Sequence, residues 1–296
     1  MRDEQFRAVL DVRTRRPGAI MEAARRRQRP TSLFNEYGKL MVIAADHPAR
    51  GALRAGSRGL AMADRVELLD RVCLALSRPG VNGILGTPDI VEDLLVLEAL
   101  DGKVVLGSMN RGGLAGTVFE IDDRFTGYDA SALAAAGFEG GKMLLRIDPD
   151  DPATVATVEA CGRAVSDLAA RRLLAMVEPF ISHRVDGRVR IDLGAEATIR
   201  AMTVAAGIGN TSAYTWLKVP VVEEMERVMA ATTLPALLLG GEVSSAQDAA
   251  FESWRKALKL PTVQGLVIGR SLLYPPDDDV AAAVDTAVGL LQEGGG

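Results

Sequence analysis

The sequence predicts an α/β chain of the (β/α)8 TIM-barrel class with an N-terminal helical extension. From residue 39 onward, short apolar runs alternate with segments of helical periodicity. Eight such runs occur, and eight is the number of strands that closes this barrel. The runs are apolar almost throughout, as expected of parallel strands covered on both faces. The rival architecture, an open doubly wound sheet, carries a glycine-rich phosphate turn after its first strand. Here that position holds Asp46-His47-Pro48.

Taken in order, Lys39–Ala45 is the first run, and Ala63–Leu76 is a helix that stops at Pro79-Gly80. Gly83–Gly86 is the second strand. Thr87 stands as N-cap and Pro88 as first residue of the helix that follows. Lys103–Gly107 is the third strand, trailed by the glycine-rich loop Ser108–Gly116. The fourth, Gly141–Ile147, ends in Asp148-Pro149-Asp150-Asp151. A helix over 153–170 leads to the fifth strand, Leu173–Glu178, and one over 195–206 to the sixth, Tyr214–Val219. Helices at 223–231 and 244–259 flank the seventh, Pro235–Gly240. The eighth is Val263–Ile268, with a last helix at about 279–292. Residues 1–38 are expected to form the extension packed on the barrel, and 39–296 a single barrel domain. The extension is arginine-rich (Arg13, Arg15, Arg16, Arg25, Arg26, Arg27, Arg29), which is expected to make a solvated or subunit-facing helix.

Composition narrows the function. With 48% apolar residues, 25% charged residues and a net charge of −5, the chain reads as an acidic cytoplasmic protein rather than a nucleic-acid binder. No apolar run approaches the roughly 18 residues that span a bilayer. Cys73 and Cys161 fit a reducing compartment. His47 and His183 are the only histidines, so a three-histidine zinc site cannot form within one chain. No carboxylate spacing points to magnesium, and neither a metal nor an organic cofactor is expected.

In a barrel of this kind the chemistry sits at the carboxyl ends of the strands. Those ends carry Asp46, Asn110 with Arg111, Lys142 with Arg146, Glu178, Lys218, Gly240-Gly241-Glu242 and Gly269-Arg270. Alternation along a strand places Lys142, Leu144 and Arg146 on one face, and Tyr214, Trp216 and Lys218 on one face of another. With Lys218 turned inward, Trp216 forms an apolar floor beneath it. Lys142 is then a neighbouring cation able to lower its pKa, and Glu178 lies between the two amines. A lysine so placed is a nucleophile toward carbonyls. Gly240-Gly241 and Gly269-Arg270 stand where barrels often hold phosphate.

Several of these segments resemble class I Schiff-base aldolases of the tagatose-bisphosphate and deoxyribose-phosphate aldolase type. Gly137–Asp150, with its glycine, Lys142, two leucines and Asp148-x-Asp150, is similar to the strand-four signature of the tagatose-bisphosphate family. Glu178-Pro179 resembles the strand-five glutamate-proline, and Leu217-Lys218-Val219-Pro220 the Schiff-base lysine segment. Leu239–Ser244 and Gly265–Arg270 resemble the two phosphate-binding ends, and Asp46 stands at the strand-one aspartate. The chain departs from the pattern at His47-Pro48, at Glu242 and at Pro220, which falls closer to Lys218 than the pattern has it. The pattern is closest to an actinobacterial branch associated with inositol catabolism.

The resemblance implies a metal-independent aldolase for a phosphorylated keto sugar or sugar acid, with cleavage of 6-phospho-5-dehydro-2-deoxygluconate to dihydroxyacetone phosphate and malonate semialdehyde as the candidate reaction. It also implies a homo-oligomer. In that reading Lys218 forms the imine, Glu178 shuttles protons and Asp46 handles the hydroxyl that becomes the aldehyde. Lys142 tunes Lys218, while Asn110, Arg146, Gly240, Gly241, Gly269 and Arg270 bind substrate or its phosphate. The alternatives are a transaldolase- or dehydratase-like enzyme using the same imine, or a non-catalytic phosphosugar-binding protein.

Overall fold

Eight parallel strands close into a barrel in the computed structural model, which describes residues 3–241 and 247–294. In chain order the strands are β1 (Leu40–Ala44), β2 (Gly83–Gly86), β3 (Val104–Ser108), β4 (Gly140–Ile147), β5 (Leu174–Val185), β6 (Arg188–Asp192), β7 (Thr215–Val219), β8 (Ala236–Leu239) and β9 (Val263–Ile268). The spatial order β4-β3-β2-β1-β9-β8-β7-β5 is closed by the pairing of β4 with β5. All barrel pairs are parallel. The fold is therefore the (β/α)8 barrel expected from the strand rhythm.

The strands alternate between two cores. Met41, Ile43, Val105, Met143, Leu145, Val177, Leu217, Val219, Leu238 and Ile268 face outward into the layer shared with the helices. Leu40, Val42, Leu85, Leu106, Met176, Leu237 and Val267 fill the lumen. Both sets are buried, which is why the strands read as unbroken apolar runs. Trp216 lies at the amino end of the lumen beside Leu33, and its ring centroid is 5.9 Å from that of Phe34. Closure of β9 against β1 depends on Gly265: its φ is +148°, and a Cβ there would lie 1.9 Å from the Leu40 carbonyl oxygen.

The helices are α1 (Asp3–Arg15), α2 (Gly18–Arg26), α3 (Arg65–Ser77), α4 (Pro88–Val96), α5 (Ala130–Ala135), α6 (Ala153–Ala170), α7 (Ala195–Ala206), α8 (Met225–Met229), α9 (Gln247–Ala257), α10 (Arg270–Leu273) and α11 (Val280–Glu293). Thr87 occupies the N-cap of α4 with Pro88 behind it, but its hydroxyl donates to Asp89 Oδ1 at 2.6 Å instead of capping the backbone. Glu242 and Ser244, expected in the strand-seven phosphate end and the following helix, lie outside the described residues.

Two features differ from the sequence expectation. The fifth strand, expected to end at Glu178, continues to Val185 and turns through Asp186 and Gly187 into β6, which pairs with it antiparallel. Both turn residues have positive φ, 50° and 73°, as a two-residue hairpin turn requires. An Asp-Gly pair followed by the alternating Arg188-Val189-Arg190-Ile191-Asp192 is the signal that identifies it.

The second difference concerns the arginine-rich extension. Arg13 reaches Asp93 on α4 at 2.8 Å and also pairs with Glu92. Arg27 is buried beneath the amino end of the barrel, where it donates to Lys103 O at 2.6 Å, Gly137 O at 2.7 Å and Glu139 Oε1 at 3.0 Å. These two arginines are intramolecular clamps, whereas Arg15, Arg16, Arg25, Arg26 and Arg29 are exposed as expected.

Candidate active site

At the carboxyl end of the barrel, ionic groups from β1, β3, β4, β5 and β7 meet in one chain of contacts. Lys218 comes from β7, whose residues Trp216 and Lys218 point inward while Leu217 and Val219 pack outward. Its Nζ is 2.9 Å from Glu178 Oε1. The other oxygen of Glu178 pairs with Lys142 Nζ. Lys142 Nζ in turn lies 3.4 Å from Asp46 Oδ2. That same oxygen accepts from Ser108 Oγ at 3.1 Å and pairs with the Arg111 guanidinium. All of these charged groups are buried.

Burial is the largest influence on each titrating group, because a low-dielectric setting disfavours charge. It lowers Lys218 below its ordinary 10.5, with Arg111 and Arg270 adding to the effect and Glu178 opposing it. Lys142 is held well below 10.5 by burial and by Arg111. For Glu178 burial acts upward, but Lys142, Lys218 and Arg111 outweigh it and hold the carboxyl well below 4.5. Burial brings the Arg111 guanidinium down to about 10. The arrangement is a carboxylate bridging two amines, both of which lose their protons more readily than lysines in water.

The structure thus brings Lys218, Glu178, Lys142 and Asp46 together. Trp216 lies two residues below Lys218 on the same inner face. Arg111 and Ser108 complete the cluster. The sequence marks Arg111 only as a polar group beyond the third strand, because nothing in its spacing reveals that the β3–α5 loop folds it back onto Asp46.

Asn110 and Arg146 are placed differently. Asn110 Oδ1 accepts from Leu144 N at 2.7 Å, and its Nδ2 donates to Leu144 O at 2.7 Å and Asp123 O at 3.2 Å. It stitches the β3–α5 loop to β4. Arg146 is gripped by both oxygens of Asp123, at 2.8 and 2.6 Å, and also bonds the Glu120 carbonyl. Its donors face the loop rather than an incoming carboxylate. Arg50 holds the same loop through Glu120 at 2.9 Å. Gly113 is required where the loop crosses Arg146, since a Cβ would lie 2.1 Å from the Glu120 carbonyl oxygen.

Of the residues expected to hold phosphate, Gly240 and Gly241 follow β8, and Gly269 and Arg270 follow β9. Gly241 has φ +66°, and a Cβ on Gly240 would lie 2.8 Å from Ser271 Oγ. Arg270 donates to the Arg54 carbonyl at 3.2 Å, and its charge is felt at both Lys218 and His47. Among the described residues no group of histidine, cysteine and carboxylate side chains is placed to hold a metal ion. Among them, too, no helix is long and apolar enough to cross a membrane.

The family model described as Cgl0159-like matches residues 38–288. Cgl0159 from Corynebacterium glutamicum, a structural genomics target, is 53% identical over 98% of both chains, with a TM-score of 0.96. An archaeal fructose 1,6-bisphosphate aldolase superposes with a TM-score of 0.67 at 16% identity, covering 92% of this chain and 99% of that one. Another archaeal fructose-1,6-bisphosphate aldolase, its catalytic lysine covalently bound to the carbinolamine intermediate, gives 0.65 at 17% identity over 94% and 100% of the two chains. At these identities the likeness to the archaeal enzymes is one of fold. No curated sequence matches the chain significantly.

Proposed function

The chain belongs to the Cgl0159-like family, and we propose that it is a metal-independent class I aldolase acting through a Schiff base on Lys218. The observation that carries this reading is the bridge from Lys218 through Glu178 to Lys142, with both amines buried and lowered in pKa. A neutral Lys218 amine attacks the substrate ketone, and the carbinolamine loses water to give an iminium. Glu178, 2.9 Å from the amine, carries protons to and from the nitrogen and the departing oxygen. Lys142 keeps Glu178 oriented and holds a substrate oxygen. The iminium then draws the electron pair of the breaking carbon–carbon bond, and Asp46 receives the hydroxyl proton of the half that leaves as an aldehyde.

The substrate in this reading is a phosphorylated keto sugar or keto sugar acid. Arg270 and the backbone of Gly240, Gly241 and Gly269 hold its phosphate. The resemblance to the inositol-associated branch favours 6-phospho-5-dehydro-2-deoxygluconate, giving dihydroxyacetone phosphate and malonate semialdehyde. Residues 39–296 are the catalytic unit and 1–38 its extension, in a cytoplasmic homo-oligomer. Asn110 and Arg146 act here by fixing the β3–α5 loop that delivers Arg111 to Asp46.

Borohydride reduction in the presence of dihydroxyacetone phosphate tests the proposal. The expected result is a mass adduct on the peptide containing Lys218. Turnover without any adduct sinks the imine mechanism. Release of free triose phosphate from the cleaved substrate separates an aldolase from a dehydratase or a transferase built on the same imine.

A further inference from the structure

Among the described residues, the buried polar side-chain atoms without a hydrogen-bond partner include Asp46 Oδ1 and His47 Nδ1. The two face each other at 3.9 Å, too far for a direct hydrogen bond. Asp46 Oδ2 is already bound by Ser108, Lys142 and Arg111, so Oδ1 is the oxygen left to accept. A buried oxygen and a buried ring nitrogen left without partners side by side carry a desolvation cost that a ligand group can relieve. His47 belongs to the same rim. Burial, followed by the charges of Arg270 and Lys218, lowers its imidazole well below 6.5. The ring is therefore neutral at ordinary pH, one nitrogen carrying a proton and the other none. The ring lies over Gly269, where a Cβ would come within 2.8 Å of His47 Cε1.

We propose that His47 is a catalytic hydrogen-bond donor for the carbon–carbon cleavage step, gripping the substrate hydroxyl jointly with Asp46. This rests on the aldolase reading above. One hydroxyl satisfies both open atoms: it donates to Asp46 Oδ1 and accepts from the Nδ1–H of His47. The hydroxyl is the one on the carbon β to the imine carbon. As the reaction proceeds, its proton passes to Asp46 and its oxygen becomes the carbonyl oxygen of the aldehyde. The bond between the carbons α and β to the imine breaks, and its electron pair enters the iminium to form the enamine. His47 keeps its proton throughout and stabilises the charge that develops on the oxygen. A neutral imidazole suits this role, because it donates without surrendering the proton. The preference is for a substrate bearing a free hydroxyl at that carbon.

The test separates imine formation from cleavage. Dihydroxyacetone phosphate alone, trapped with borohydride, reports Lys218 and needs no aldehyde half. Condensation of dihydroxyacetone phosphate with malonate semialdehyde or glyceraldehyde 3-phosphate reports the step assigned to His47. His47→Leu is expected to slow condensation about 100-fold, the loss typical of one such donor, while trapping stays within about 3-fold of the wild type. His47→Asn, whose side-chain amide can donate from nearly the same position, is expected to recover at least about 10-fold over His47→Leu. Unchanged condensation in His47→Leu overturns the inference. So does a parallel loss of trapping and condensation, or an Asn variant no better than the Leu variant. Those three outcomes leave the aldolase reading standing, whereas a wild type that traps no probe overturns both.

Discussion

At the amino end of the barrel, Glu139 accepts from Arg27 at 3.0 Å, from Arg29 at 3.1 Å and from the Val105 amide at 2.8 Å. The terminal nitrogens of Arg27 are further tied to two backbone carbonyls, and the guanidinium lies 5.6 Å from the Phe138 ring centroid. At the carboxyl end the same residue types form a cluster with Lys142 and Lys218 added. Each end leaves buried polar atoms without a partner, Arg27 Nε at the amino end and Asp46 Oδ1 and His47 Nδ1 at the carboxyl end. Both ends bury charge. The first pairs it with fixed backbone partners and ties α2 to the barrel, whereas the second holds amines away from water with their pKa values lowered. Buried charge at one end ties the extension to the barrel, and at the other it gathers two amines of lowered pKa around one carboxylate.

The largest expected effect breaks the carboxyl end alone. Lys218→Met is expected to remove turnover by roughly 10⁴-fold or more, the scale seen when a covalent nucleophile is lost, together with the borohydride adduct. Its stability should stay within about 1 kcal/mol of the wild type in urea unfolding. The methionine fills a similar volume, a desolvated amine is removed, and Glu178 keeps Lys142. A large loss of stability would show that the site lysine also holds the fold together.

Next in size is the opposite manipulation. Glu139→Leu leaves Arg27 buried without its carboxylate, a change that typically costs about 3–5 kcal/mol. Urea unfolding should show that loss, while turnover per folded molecule remains that of the wild type. A variant that unfolds normally but loses turnover would mean that the two ends of the barrel are coupled.

A smaller effect separates the ends by pH. The folded-state pKa of Glu178 lies well below 4.5. Its contribution to stability is therefore complete above the unfolded value and is lost as pH falls through the folded one. Within that window the unfolded chain takes up a proton that the folded carboxylate refuses, giving a slope of up to about 1.4 kcal/mol per pH unit. Lys142 and Lys218 change stability in the same direction, over a window that ends at 10.5. Their folded values lie below 10.5, so they penalise the fold at low pH, and the penalty is relieved as pH rises from those values towards 10.5. Wild-type stability should accordingly fall more steeply below pH 4.5 than that of Glu178→Gln. Equal slopes would show that Glu178 is not held ionised by the lysines.

The two ends were not equally legible in the sequence. Strand count and side-chain alternation were enough to bring Lys142, Glu178, Lys218 and Asp46 to one rim, because a regular strand without a bulge transmits parity faithfully. Loops transmit nothing of the kind. Asn110 and Arg146 sit at strand ends like the site residues, but their partners Asp123 and Glu120 come from the β3–α5 loop. The same loop folding brings Arg111 to Asp46. At the amino end, Arg27 read as one of a run of exposed arginines. Its burial depends on carbonyls at Lys103 and Gly137, whose approach no local pattern records.

The smallest expected effect sharpens the comparison within a single carboxylate. Glu139 Oε1 receives both Arg27 and Arg29 at nearly equal distances, 3.0 and 3.1 Å. The Arg27 side chain is 2% exposed and that of Arg29 is 61% exposed. Equal geometry with unequal solvent screening predicts unequal worth. Arg29→Ala should cost less than about 1 kcal/mol, the ordinary range for a pair open to water. It should weaken further in effect as salt is raised. Arg27→Met, by contrast, strands Glu139 in the interior with only the Val105 amide and Arg29 to hold it, and should cost several times more. Urea unfolding of both variants at low and high salt decides the matter. Equal losses would show that distance rather than burial sets the strength of the amino-end clamp, and the contrast with the buried lysine centre would then have to rest on chemistry alone.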